Sequence, residues 1–216
     1  MILSSRPKSR LKQRIKLEKS YKKELYRKSI HLSSLWIPLV LYFANPGISA
    51  VLFGFLFIAD ALCEYGNYKK WHWMRKIFGG LFHKTLRAKE TKRIFFQCSG
   101  SFYVLLAAIA CILLFSKQIA VIAMTVMLVS DTTAALVGKA FGTRKLYRSK
   151  SLEGTAAFFL SALIINMLFE PIFHFTYAGV LACFAATAAE MFEDKTEIDD
   201  NLSIPLVIGI ILTLLG

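Results

Sequence analysis

The feature that most limits how this chain can fold is where its basic residues stand relative to its apolar runs. Seven predominantly apolar segments, at roughly 30–44, 48–63, 95–115, 118–137, 153–169, 174–192 and 202–215, alternate with polar stretches. Several approach the roughly 20 residues that a helix needs to cross a bilayer. If each crosses once and the N-terminus is cytoplasmic, the inner segments are 1–29, 64–94, 138–152 and 193–201. Those segments hold 26 of the 27 Lys and Arg residues, and only Lys117 falls on the outer side. Basic residues concentrate in cytoplasmic loops in this way. An even number of spans, or the opposite orientation, destroys the pattern. The sequence therefore predicts an all-α, polytopic membrane helix bundle of about seven transmembrane helices with its N-terminus in the cytoplasm.

Composition agrees with that reading. Apolar residues make up 56% of the 216, and the formal net charge is +13. A charge this high also suits nucleic acid, but the basic residues flank apolar runs instead of forming a basic domain, so no nucleic-acid partner is expected. Residues 1–29 hold eleven of the Lys and Arg residues. They read as a cytoplasmic arm, either a helix on the membrane surface drawn to anionic lipid headgroups or a solvated tail. Residues 30–216 read as the transmembrane bundle. The arm is too long and too basic for a signal peptide, and no small-residue cleavage site follows it. Cys63, Cys98, Cys111 and Cys183 lie scattered in apolar runs without metal-ligand spacing and read as small buried hydrophobes. Between 64 and 94, "YKKWHWMRKIFGGLFHK" mixes Trp71, Trp73, Phe78 and Phe82 with cations, which suits an interfacial helix.

Ionisable residues inside spans are costly and usually face a bundle interior or a wet cavity. Here they gather at one depth. Asp60 and Glu64 end the second apolar segment, Asp131 lies near the inner end of the fourth, and Glu153 opens the fifth. Glu190 closes the sixth, and Asp199, Asp200 and Asn201 precede the seventh. Arg27, Lys28 and His31 stand at the start of the first. Carboxylates with nearby cations suit a Mg²⁺-nucleotide, because hard oxygens hold the metal and Lys or Arg neutralises phosphate. Ordinary headgroup contact at helix ends explains Glu64, Glu90 and most of the Lys and Arg residues well. It explains Asp131 poorly, since a long basic side chain can snorkel from such a depth and Asp cannot.

The loop "GKAFGTRKLYRSKSLEG" has the composition of a phosphate loop without the order of a Walker motif. Gly138 and Gly142 permit close backbone approach to a phosphate, Lys139, Lys145 or Lys150 is placed to reach one, and Ser151 is placed to cap the next helix. Arg27 and His31, four apart, share a helix face. His31 is a candidate general base or phosphate contact, and a structural histidine fits the spacing equally. His72, His83 and His174 show no ligand spacing.

Taken together, "RKSIHL", "SDTTAALVGKAFG", "KSLEGTAAFF" and "TAAEMFEDKTEIDDNLSIP" resemble the CTP-dependent lipid-alcohol kinases, the family of dolichol kinase, phytol kinase and the CTP-using diacylglycerol kinase. The resemblance runs in order over roughly residues 24–216. It implies that Arg27, Lys28 and His31 form the opening R-K-x-x-H element, and that Asp131, Gly138 and Gly142 form the D-x-x-A-A-x-x-G-x-x-x-G element. Lys150, Ser151, Glu153 and Gly154 match K-S-x-E-G. Glu190, Asp199, Asp200, Asn201 and Pro205 match the closing E…D-D-N-x-x-x-P. Phosphatidate cytidylyltransferase has a similar order of elements, but its closing signature, paired glycines around a histidine followed by D-R-x-D, is absent.

What the resemblance implies is γ-phosphoryl transfer from CTP to a membrane lipid alcohol at the cytoplasmic face. Asp131, His31, Lys150 and Glu153 are the expected catalytic residues. Arg27, Lys28, Gly138, Lys139, Gly142, Lys145, Ser151, Gly154 and Asn201 are expected on the nucleotide and its phosphates. Asp131, Glu190, Asp199 and Asp200 are expected on Mg²⁺. Two alternatives stay open: cytidylyl transfer to phosphatidate, and a transporter or scaffold. A transporter more naturally places its charges near the bilayer midplane. The identity of the alcohol and the oligomeric state are not legible in the sequence.

Overall fold

A computed structural model describes residues 6–69, 98–174, 176–196 and 198–216. The expected interfacial helix, with Trp71, His72, Trp73 and His83, falls largely outside the described residues. Those residues form α1 (Arg6–Ser33), α2 (Trp36–Phe43), α3 (Pro46–Tyr68), α4 (Gly100–Leu114) and α5 (Lys117–Phe141), then a hairpin of β1 (Lys145–Tyr147) and β2 (Lys150–Ser151). After it come α6 (Leu152–Phe173), α7 (Thr176–Met191), the single turn α8 (Glu193–Thr196) and α9 (Asp200–Leu215). Among the described residues the fold is all-α apart from that antiparallel hairpin, which the sequence reading did not anticipate.

Among the described residues, three helices are long and apolar enough to cross a membrane: Pro46–Gly66 within α3, Lys117–Phe141 and Leu152–Phe173. Gly100–Leu114, Tyr177–Met191 and Asp200–Leu215 are shorter apolar helices. The first expected segment, 30–44, is not one helix. α1 ends at Ser33, and α2 begins after a turn at Ser34 and Leu35. Pro38 lacks the N–H that a continuous helix would direct to the Ser34 carbonyl, and that oxygen takes its bond from Ile37 N instead, at 2.9 Å. The eight residues of α2 extend only about 12 Å at 1.5 Å per residue.

α5 is the axis of the bundle. It packs against α6, α9, α1, α2 and α4, and 72% of its apolar stretch is buried, compared with 11% for α3 at the periphery. Small residues set the closest approach. A Cβ built on Gly154 of α6 would lie 2.9 Å from the Ala134 carbonyl oxygen of α5 and 3.2 Å from Gly138 Cα. Only glycine lets the two backbones meet there. The core is completed by Phe53, Met124, Met127, Leu128, Phe158 and Ile204, all essentially inaccessible.

Candidate active site

Several helices and the hairpin together line a cavity of about 460 Å³. On α5, Asp131, Ala134, Ala135, Gly138 and Lys139 recur at three- and four-residue spacing and line it. On α1, Glu24 and Arg27 line it, while Lys28 and His31, on the same face, stand behind Asp131. The hairpin and the start of α6 contribute Ser149, Lys150, Ser151, Gly154 and Thr155. Glu190, Glu193 and Asp200 close the far side from α7, α8 and α9.

Ser151 is the N-cap of α6, its Oγ accepting from Gly154 N at 3.2 Å. Asp199 is the N-cap of α9, accepting from Asn201 N at 3.1 Å and from the Asn201 side-chain amide at 2.6 Å. The N-termini of α6 and α9 therefore both lie at the cavity, and their free N–H groups and positive dipole ends favour an anion there.

The ion pairs divide the site in two. Deep in the bundle, Lys28 Nζ donates to Asp131 Oδ2, with His31 Nε2 3.4 Å from the same oxygen. Lys28 is 1% exposed and Asp131 5%, so this pair joins α1 to α5 inside the protein. On the other wall, Lys150 Nζ donates to Glu190 Oε1 at 2.7 Å and to Glu193 Oε2 at 3.0 Å. Burial alone would lower the Lys150 pKa, but the two carboxylates outweigh it and hold the ammonium above its ordinary value. Glu190 keeps its second oxygen, Oε2, buried without a hydrogen-bond partner, and Thr155 Oγ1 on the cavity wall is in the same position.

The fold thus brings together Arg27, Asp131, Gly138, Lys139, Lys150, Ser151, Gly154, Glu190 and Asp200 around one space, with Lys28 and His31 touching Asp131. It places the remaining residues elsewhere. Glu153 turns to the loop, where its Oε1 accepts from Thr143 N at 3.0 Å and Arg144 N at 3.2 Å. Lys145 is exposed on β1. Gly142 faces Ser151, whose Oγ would be 2.7 Å from a Cβ built there, so this glycine serves packing of the loop. Asp199 and Asn201 form their own capping pair beside Asp200.

The carboxylates expected together on a metal are also regrouped. Oxygens of Glu193, Asp199 and Asp200 lie within 4.8 Å of one another, whereas Asp131 and Glu190 are each held by a lysine. Sequence reasoning missed Glu24, Ser149, Thr155 and Glu193. Glu193 had a signal in its three-residue spacing from Glu190, and Glu24 had the same spacing to Arg27.

Among the described residues, span-length apolar helices pack around a cavity lined by both acidic and basic side chains. Comparison with known proteins supplies the class. The chain is 32% identical over 192 residues to an uncharacterized protein of Rickettsia prowazekii, covering 85% of this chain and 90% of that one. It is 30% identical over 167 residues to the CTP-dependent diacylglycerol kinase 1 of Saccharomyces cerevisiae, 74% of this chain and 54% of the kinase. It is 29% identical over 133 residues to a probable chloroplastic phytol kinase of Triticum aestivum, 54% of this chain and 44% of that protein. The chain spans about half the length of these two kinases. No family model and no solved structure matches it. The chain belongs to the CTP-dependent lipid kinase family.

Proposed function

We propose that the chain is an integral membrane lipid kinase that moves the γ-phosphoryl group of CTP to the hydroxyl of a lipid alcohol at the cytoplasmic face. The observation that carries this reading is the convergence of Asp131, Lys139, Lys150, Glu190 and Asp200, from separate elements, on one cavity that the α6 N-terminus also enters. Its volume of about 460 Å³ lies in the usual range for small-molecule sites. The 26-to-1 division of basic residues supports the cytoplasmic side.

A divalent cation accompanies such nucleotide chemistry, and the residues present fit it. The donors are carboxylate oxygens, Glu193, Asp199 and Asp200 converge within 4.8 Å, and Glu190 Oε2 is buried beside them without a partner. Mg²⁺ prefers such oxygens. When bound, the ion supplies neutralisation of the phosphate charge.

The protein's own groups do the positioning. Lys150, Lys139 and Arg27 face the space where phosphates would lie, and the N–H groups at the start of α6 add anion contacts. Asp131 reaches the cavity from the opposite wall and orients the lipid hydroxyl, whose oxygen attacks the γ-phosphorus as the bond to the β-phosphate oxygen breaks. CDP leaves, and the hydroxyl proton passes to the Asp131–His31 pair. In transfers of this kind, positioning and electrostatics supply most of the acceleration. The test is incubation of purified protein with γ-labelled CTP or ATP and a panel of lipid alcohols. Label in a lipid together with released CDP supports the reading. Pyrophosphate release and a CDP-lipid would replace it with cytidylyl transfer.

A further inference from the structure

Glu193 has two claims on it. Its Oε2 accepts from Lys150 Nζ at 3.0 Å, and its carboxylate also belongs to the converging group with Asp199 and Asp200. An acidic cluster alone does not make a site. Here a second observation points to a ligand: Glu190, 4% exposed on the wall of the same cavity, keeps Oε2 buried with no hydrogen-bond partner. Asn201, equally buried and tied to Asp199 through its amide nitrogen, keeps Oδ1 unpartnered as well. Buried acceptors left without donors are costly unless something electropositive meets them.

We infer that Glu193 is a shared ligand: a divalent cation held by Glu193, Asp199 and Asp200 competes with the Lys150 ammonium for the same carboxylate, so that cation loading frees Lys150 for the nucleotide's phosphates. The proposal rests on the kinase reading for the identity of the anion that receives Lys150, and on geometry for the exchange itself. Two positive charges drawing on one carboxylate repel each other, so each weakens the other's binding. Once the cation draws charge from Glu193, Lys150 keeps its pair with Glu190 and loses much of the second one. Its ammonium, on the hairpin at the cavity wall, then has less to lose by turning to a phosphate. Cation and nucleotide thus bind cooperatively, and by linkage the coupling is reciprocal. The exchange makes no bond and needs no co-reactant.

The test uses the full chain in detergent or nanodiscs with Mn²⁺ alone, without nucleotide or lipid, and reads the bound fraction by electron paramagnetic resonance. Glu193→Gln is expected to weaken Mn²⁺ binding roughly tenfold or more, since even an outer partner of a ligand commands that range. Lys150→Met is expected to tighten it several-fold, a gain that a misfolded variant cannot produce. Unchanged affinity in Glu193→Gln, or unchanged or weaker affinity in Lys150→Met, overturns the proposal. Neither outcome depends on turnover. If the Mn²⁺ order holds while CTP labels no lipid, the kinase reading falls and the shared ligand stands. If lipid is labelled while the order fails, the reverse is true.

Discussion

The same two helices make two carboxylate–cation pairs, and they differ in almost everything but charge. Lys28 of α1 meets Asp131 of α5 with both residues at most 5% exposed. Glu24 of α1 and Lys139 of α5 meet at 3.9 Å on the cavity rim, where the lysine side chain is 37% exposed. On α5 the two positions are eight residues apart, about 12 Å along the axis. Over that distance the pair changes from an obligatory partner to an adjustable one. In the interior a charge without its partner has nowhere to go, while at the rim water replaces the partner.

The largest effect expected from this contrast is in Lys28→Met. It leaves the Asp131 carboxylate buried without its lysine, and removing one member of a buried pair costs about 3–5 kcal/mol. Denaturant unfolding in micelles reads that loss. The double variant Lys28→Met/Asp131→Asn should recover most of the stability and none of the phosphotransfer, because the site then lacks the carboxylate proposed to orient the hydroxyl. Asp131→Asn alone should abolish turnover with membrane insertion intact. A double variant that turns over would remove Asp131 from the chemistry.

Next comes Gly154→Ala, which probes the contact that holds the two walls at their spacing. The added methyl would meet the Ala134 carbonyl oxygen at 2.9 Å, and a helix backbone yields poorly. Overpacking of this kind costs about 1–3 kcal/mol. The same unfolding assay reads it. A neutral result would mean that α5 and α6 can separate without loss.

These contacts mark the limit of what the sequence discloses. Asp131 was legible because a carboxylate deep in an apolar run demands an explanation, and the helix periodicity that places Asp131 and Gly138 on one face follows from spacing alone. That Lys28 reaches Asp131 was not legible. It depends on how α1 crosses α5, and 103 residues separate the partners. Gly138 and Gly142 read as phosphate-loop glycines from composition, while in the structure Gly138 packs against Ser151 and Gly154, and Gly142 against Ser151. Local sequence cannot distinguish backbone approaching a ligand from backbone approaching another helix. The break between α1 and α2 was available in principle from Pro38 but was masked by the unbroken hydropathy of 30–44. Glu193 was hidden in a run of acids whose individual directions are set only once α7, α8 and α9 turn against one another.

A smaller effect is expected from Glu153→Gln. The carboxylate accepts from Thr143 N and Arg144 N and thereby fixes the chain entering the hairpin that carries Lys150. Weakening those bonds in an exposed, water-accessible loop should change stability little. The kinetic signature should be a raised KM for the nucleotide with kcat largely kept. A collapse of kcat at unchanged KM would instead give Glu153 the direct catalytic role that its motif suggests.

The smallest effect belongs to the rim. Burial pushes the Glu24 carboxyl up, but its hydrogen bond from Arg27 and the charges of Arg27, Lys28 and Lys139 together hold it below the usual carboxylate range. A depressed folded-state pKa stabilises above the unfolded value and loses that contribution as pH falls through the folded one. Glu24→Gln should therefore cost less than about 1 kcal/mol near neutral pH, as partly exposed pairs do. The difference from wild type should shrink in acid and in high salt, where exposed charges are screened. Lys28→Met should show little of that salt dependence, because its pair is shielded from ions. If Glu24→Gln proved as costly as Lys28→Met and as indifferent to salt, solvent access would not be what separates the two pairs.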